Sequence, residues 1–100
     1  MDVTYRIDKD ILYIAVAGRI DAANAAAAEE KIFGIKKENP GKHIVVDADS
    51  LEYISSAGLR VLLGAQKKMQ KIGSMKVINV CEAVMEVFEM TGFADILTIE

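Results

Sequence analysis

Apolar residues occur along this chain in runs of different period, and each change of period marks an element. Near the N-terminus "VTYRI" (3–7) alternates in character, "DKD" (8–10) is a short charged turn, and "ILYIAVAG" (11–18) is apolar almost throughout. The first pattern predicts a strand. The second predicts a strand covered on both faces, central in a sheet and ended by Gly18. "RIDAANAAAAEEKIFGIKKENPG" (19–41) then gathers strong helix formers, with acids early and lysines late as the helix dipole favours. Asp21 or Asn24 caps its start, and the Ala25–Ala28 run supplies a tightly packed face. Asn39, Pro40 and Gly41 stop it near Glu38, because proline disfavours helical geometry in the residue before it and glycine tolerates positive φ.

"HIVVDA" (43–48) is a short β-branched strand with Asp47 where the chain leaves the sheet, and "DSLEYIS" (49–55) reads as a connection. Leu59, Leu62, Leu63, Ala65, Met69 and Ile72 recur at helical spacing, broken at Gln66, while Arg60, Lys67, Lys68 and Lys71 fill the opposite surface. That helix ends at Gly73-Ser74. "MKVINV" (75–80) predicts a further strand, "EAVMEVFEM" (82–90) a third helix closed by Gly92, and "ADILTI" (94–99) a last strand. The order β-β-α-β-α-β-α-β implies an α/β domain with a mainly parallel sheet, right-handed crossovers and an antiparallel pair at the start.

Composition narrows the function classes. The 100 residues, 52% of them hydrophobic and 27% charged, fit one globular domain spanning 1–100. A formal charge of −3 supplies no field for gripping phosphate backbones, so nucleic acid is not an expected partner. "MDVTYRIDKD" carries charges throughout and lacks the apolar segment of a signal peptide, and no window approaches the roughly 20 apolar residues of a membrane span. A cytosolic protein is expected. The single cysteine, Cys81, has no internal disulfide partner and reads as a small residue beside the core; the single histidine, His43, reads as an exposed strand-edge residue rather than a metal ligand.

The sequence has no Gly-rich phosphate loop, no Cys/His cluster and no histidine placed to activate a serine, which argues against an enzyme. Asp21, Asp47 and Asp49 stand at strand ends, where α/β sheets bind ligands, but solvated loop acids and a helix cap are the simpler account of them. The pair Ser55-Ser56 opens the second helix. One serine suffices to cap it. Either Ser55 or Ser56 could be that cap, and the small residues Ala57 and Gly58 after the pair leave the helix N-terminus open to an approaching macromolecule, a shape suited to docking or modification.

These stretches together resemble a known family. "VVDADSLEYISSAGLRVLLGAQKKM" (45–69) is similar to the signature of the STAS domain, the fold of bacterial anti-sigma-factor antagonists, in which an Asp-Leu-Ser-like turn is followed eight residues on by Asp-Ser-Ser/Thr-Gly-Leu. "AGRIDAANA" (17–25) resembles the family's Gly-x-Leu-Asp segment and "VFEMTGFADILTI" (87–99) its closing helix-turn-strand, so the likeness covers essentially the whole chain. The resemblance implies a small non-enzymatic switch without a cofactor of its own. Its unphosphorylated form binds an anti-sigma factor that is also a serine kinase, releasing a sigma factor, and phosphorylation on serine switches it off. The kinase brings ATP and magnesium, and a serine phosphatase reverses the step; direct contact with nucleic acid or membrane is not implied.

Registered on Gly58-Leu59, the family's phosphorylated serine falls on Ser56, with Ser55 as the alternative acceptor, and its two earlier aspartates fall on Asp21 and Asp47. The implied partner-binding set is Asp21, Asp47, Ser55, Ser56, Ala57, Gly58 and Arg60. The chain departs from the pattern at Ser55, where the family usually has an acid that helps orient the acceptor hydroxyl, and at Ala57, where it has Ser or Thr. Two other readings fit the same residues: a ligand- or nucleotide-sensing module using a pocket near Asp21, Asp47 and Ser56, and a scaffold whose serines are only caps.

Overall fold

A computed structural model describes residues 1–40 and 43–100. Strands β1 (Asp2–Asp8) and β2 (Ile11–Ile20) form the antiparallel hairpin, with Lys9 in the left-handed region at φ 58° in the turn. β2 is the central strand, as expected from its apolar run. Strand β3 (His43–Asp47) runs parallel to it along Ile11–Ala15, and β5 (Met75–Ile78) runs parallel to β3 on the far side. Strand β4 (Leu51–Ile54) pairs with β2 farther along, at Gly18–Ile20. The register shifts between Gly18 and Arg19, where Gly18 takes φ +92°, a conformation other residues rarely adopt.

Helices α1 (Ala25–Glu38), α2 (Ser56–Ile72) and α3 (Glu82–Met90) complete a small α/β domain with a mixed sheet. Their buried residues, among them Ala28 and Ile32, Leu59 and Leu62, and Val84 and Phe88, join Leu12, Ile14 and Val16 of β2 in one hydrophobic core. Each such Leu, Ile, Val or Phe contributes about 1.5–3 kcal/mol by leaving water. Cys81 packs beside this core and its thiol donates to the Leu51 carbonyl at 3.5 Å. Among the described residues, no helix is long and apolar enough to cross a membrane.

Four expectations change. The β2 strand is not covered on both faces: Leu12, Ile14 and Val16 are buried, but Ile11, Tyr13, Ala15 and Ala17 are only half-buried, with the Arg6 guanidinium 3.9 Å above the Tyr13 ring. β2 runs through Gly18 to Ile20 rather than ending there, with its register shifting just after Gly18. The segment "DSLEYIS" contains β4, whose four residues are buried at the ends and exposed in the middle and so show neither helix nor strand period. "ADILTI" makes a short 3-10 turn at Phe93–Asp95 and then meets β5 at a single bridge, Val77 to Ile99, closed by Val77 N–H to Thr98 O at 2.8 Å and Glu100 N–H to Val77 O at 2.9 Å. The alanine run has its packed face, with Ala28 fully buried and Ala25 against the core, while Ala26 and Ala27 face solvent. Gly41 of the expected helix stop, and the side chain of Ile72, lie outside the described residues.

His43 is exposed at the first residue of β3, an interior strand of the sheet. Its Nδ1 lies 2.9 Å from Ser74 Oγ and its Nε2 3.9 Å from Asp10 Oδ2. Among the described residues no group of three or more His, Cys, Asp or Glu side chains could hold a metal ion.

Candidate functional site

The end of β2, the end of β4 and the start of α2 meet at one corner of the domain. The Ser55 N–H donates to the Ile20 carbonyl at 2.8 Å, which sets the serine pair directly beside Asp21. Ser55 sits in extended backbone, φ −89° and ψ 173°, and its Oγ accepts from the Gly58 N–H at 3.2 Å. It is the N-cap of α2, satisfying one of the donors that a helix start leaves unpaired. Ser56 is the first residue inside the helix. It is exposed, and its hydroxyl makes no hydrogen bond among the described residues. The two serines therefore divide the work: one holds the helix, and the other presents a free hydroxyl at its positive end.

Gly58 fixes the height of that helix end. It is buried, and a Cβ built on it would meet Ile20 Cγ2 at 2.6 Å and Ile54 Cγ1 at 2.9 Å, closer than atoms tolerate. Only a bare backbone lets α2 lie so near the side chains of β2 and β4. Ala57, half-buried, is the other small residue of this turn, and Arg60 is exposed one turn after Ser56.

Asp21 organises the adjoining turn. Its Oδ1 accepts from the N–H groups of Ala23 at 2.9 Å and Asn24 at 3.2 Å, while Asn24 Oδ1 accepts from the Asp21 N–H at 2.9 Å. Asn24 stands at the N-cap position of α1 without a side-chain bond into that helix; its Nδ2 reaches back to the Arg19 carbonyl at 2.9 Å. Beside this turn the Arg19 guanidinium lies 4.2 Å from the centroid of the Tyr53 ring. A cation–π contact of this kind holds an otherwise mobile arginine against a flat exposed ring.

Asp47 belongs to a different cluster. Its Oδ1 accepts from the Asp49 N–H at 3.0 Å and from Asn79 Nδ2 at 3.1 Å, linking the ends of β3 and β5. Asp47 pairs with Ala15 of β2, whereas Ser55 is bonded at Ile20. The position that bonds Ser55 is thus up to about 17 Å farther along the strand, at about 3.3 Å per residue. Asp21, Ser55, Ser56, Ala57, Gly58 and Arg60 come together at one corner; Asp47 does not join them. Sequence reading missed Arg19 and Tyr53. Tyr53 was hidden in the unforeseen β4, and Arg19 carried one signal, its place two residues before Asp21 at a strand end.

Comparison with known proteins agrees with this architecture. The family model of the STAS domain matches residues 2–100. The anti-sigma-B factor antagonist of Listeria monocytogenes is 31% identical over 96 residues, covering 93% of this chain and 82% of that protein. Among solved structures, an anti-sigma factor antagonist from Mycobacterium paratuberculosis superposes with a TM-score of 0.86 at 22% identity, covering 98% of this chain and 83% of that one. The Bacillus cell fate determinant SpoIIAA in its phosphorylated form superposes at 0.70 with 17% identity, covering 99% and 91%. Matched from end to end by the family model, and sharing its fold with these antagonists, the chain belongs to the STAS domain family.

Proposed function

We propose that this protein is an anti-sigma factor antagonist switched by phosphorylation at Ser56. In its unmodified form it docks an anti-sigma factor with serine kinase activity at the corner formed by Asp21, Ser55, Ser56, Ala57, Gly58 and Arg60, and a sigma factor is released. The observation that carries this reading is the difference between the two serines: Ser55 Oγ is engaged as the α2 cap, while Ser56 is exposed with an uncommitted hydroxyl. Kinase-bound ATP and magnesium supply the phosphoryl group, and a serine phosphatase restores the docking form. Phosphate brings a charge of about −1.5 to −2 into a contact that binding would desolvate, which disfavours the complex. Asp47 enters this reading only as support for the adjoining strand end. The exposed Arg19–Tyr53 stack extends the docking surface, since Arg and Tyr are residue types that carry much of the energy of protein interfaces.

Titration calorimetry against the anti-sigma factor tests it. Ser56→Ala should bind like the unmodified protein and resist switching, and Ser56→Asp should bind at least tenfold more weakly, about 1.4 kcal/mol. Equal affinities for Ser56→Asp and the unmodified protein would place the interface elsewhere.

A further inference from the structure

The β1 strand is an edge strand of unusual openness. Among the described residues no strand pairs with its outer side, and six of its seven residues are exposed. It has a regular register with β2 from Asp2 to Asp8, without the proline or bulge that commonly blunts a sheet edge. Val3, Tyr5 and Ile7 pair with Val16, Ile14 and Leu12, so they lie on the core side of the sheet, yet Tyr5 is 49% and Ile7 45% exposed. Helix α1 stops short of covering them and leaves an open groove of about 540 Å³ between Val3, Tyr5, Gly34 and Ile35.

The charges on β1 select an occupant. A second copy related by a two-fold axis would pair antiparallel, and only registers opposing residues of like parity keep each side chain on its own face. Centred on Tyr5, the pairing sets Asp2 against Asp8 twice. Centred on Arg6, it sets Arg6 against itself. Centred on Thr4, it sets Asp2 against Arg6 twice on the open face, Thr4 against Thr4 on the axis, and Val3 against Tyr5 twice on the core face. Opposite-charge and aromatic–β-branched cross-strand pairs are both favourable, and like charges directly opposed are not. We infer that two copies of this chain associate through β1 in the register centred on Thr4, continuing the sheet across the dimer.

The pairing itself uses no residue of the docking corner. Thr4 pairs with Ala15 in the middle of β2, whereas the serine pair is bonded at Ile20, beyond the last residue of β2 that β1 covers. The inference therefore stands or falls apart from the reading of Ser56.

Sedimentation velocity on the whole chain at concentrations up to about 1 mM tests the dimer. A mass rising from 10.9 kDa toward twice that value is expected. Arg6→Asp and, separately, Asp2→Arg should each raise the dissociation constant at least tenfold, and the double exchange Asp2→Arg/Arg6→Asp should restore it because the opposed pairs are re-formed with reversed sign. A monomer throughout the range, a dimer indifferent to either single change, or a double exchange that fails to recover association would each overturn the inference.

Discussion

Replacing Gly58 by alanine tests the close approach on which the site depends. In a helix the change alone favours alanine by about 0.5–1 kcal/mol. Here the added methyl group would stand 2.6 Å from Ile20 Cγ2, 2.9 Å from Ile54 Cγ1 and 3.1 Å from Ile20 Cβ, and both isoleucines are fully buried. Neither is the loose end of a flexible side chain, so relief requires α2 to lift or two core rotamers to change, costing about 1–3 kcal/mol. The net expectation is a loss of about 1 kcal/mol, which for a domain this size lowers the melting temperature by about 4–8 °C. Gly64, in the middle of the same helix, is the internal control: its nearest neighbour would be Phe33 Cζ at 3.9 Å, an ordinary contact, so Gly64→Ala should stabilise by about 0.5–1 kcal/mol. Urea unfolding should show the two midpoints moving in opposite directions with unchanged slopes. If Gly58→Ala stabilises as Gly64→Ala does, the helix start is not held against β2 and β4 as described.

The other expectations concern the serines and the surface around them. Ser55→Ala removes the cap and should cost about 1 kcal/mol in urea unfolding, whereas Ser56→Ala should change stability by less than about 0.5 kcal/mol; equal losses would contradict the division of labour. Phosphorylation should leave the fold intact, because phosphate at a helix start meets unpaired N–H groups and the positive end of the dipole, a favourable interaction of about 0.3–1 kcal/mol. Circular dichroism of the phosphorylated protein should show no loss of helix, and Arg60→Ala should reduce any gain in melting temperature, since its guanidinium lies one turn along the same face. Tyr53→Ala and Arg19→Ala should each weaken anti-sigma binding at least tenfold, about 1.4 kcal/mol, in calorimetry while leaving the far-ultraviolet spectrum unchanged.

The elements legible in the sequence were those with a strong period or a capping signal. The apolar run of β2, the recurrence from Leu59 to Met69 in α2 and a serine cap at Ser55 or Ser56 all follow from local chemistry, and the structure has the cap at Ser55. Tertiary packing decided the rest. Four residues with two exposed in the middle cannot announce β4, which pairs with β2 across a register shift beside Gly18. Half-buried Tyr13, Ala15 and Ala17 read as apolar whether or not a helix covers them. The corner itself was partly legible: Asp21 and the serine pair were visible as residue types, but the separation of Asp47 depends on the β2–β3 register, and the Arg19–Tyr53 stack on a cross-strand pairing that the sequence does not display.

The central claim is that Ser56 is the switch. Incubating the protein with the anti-sigma kinase, ATP and magnesium, followed by intact mass measurement and phosphopeptide mapping, tests it most directly. One added phosphoryl group on Ser56 is expected, with Ser55 unmodified because its hydroxyl is held by the Gly58 N–H. Phosphate on Ser55, or no modification by a kinase that binds the protein, would contradict it.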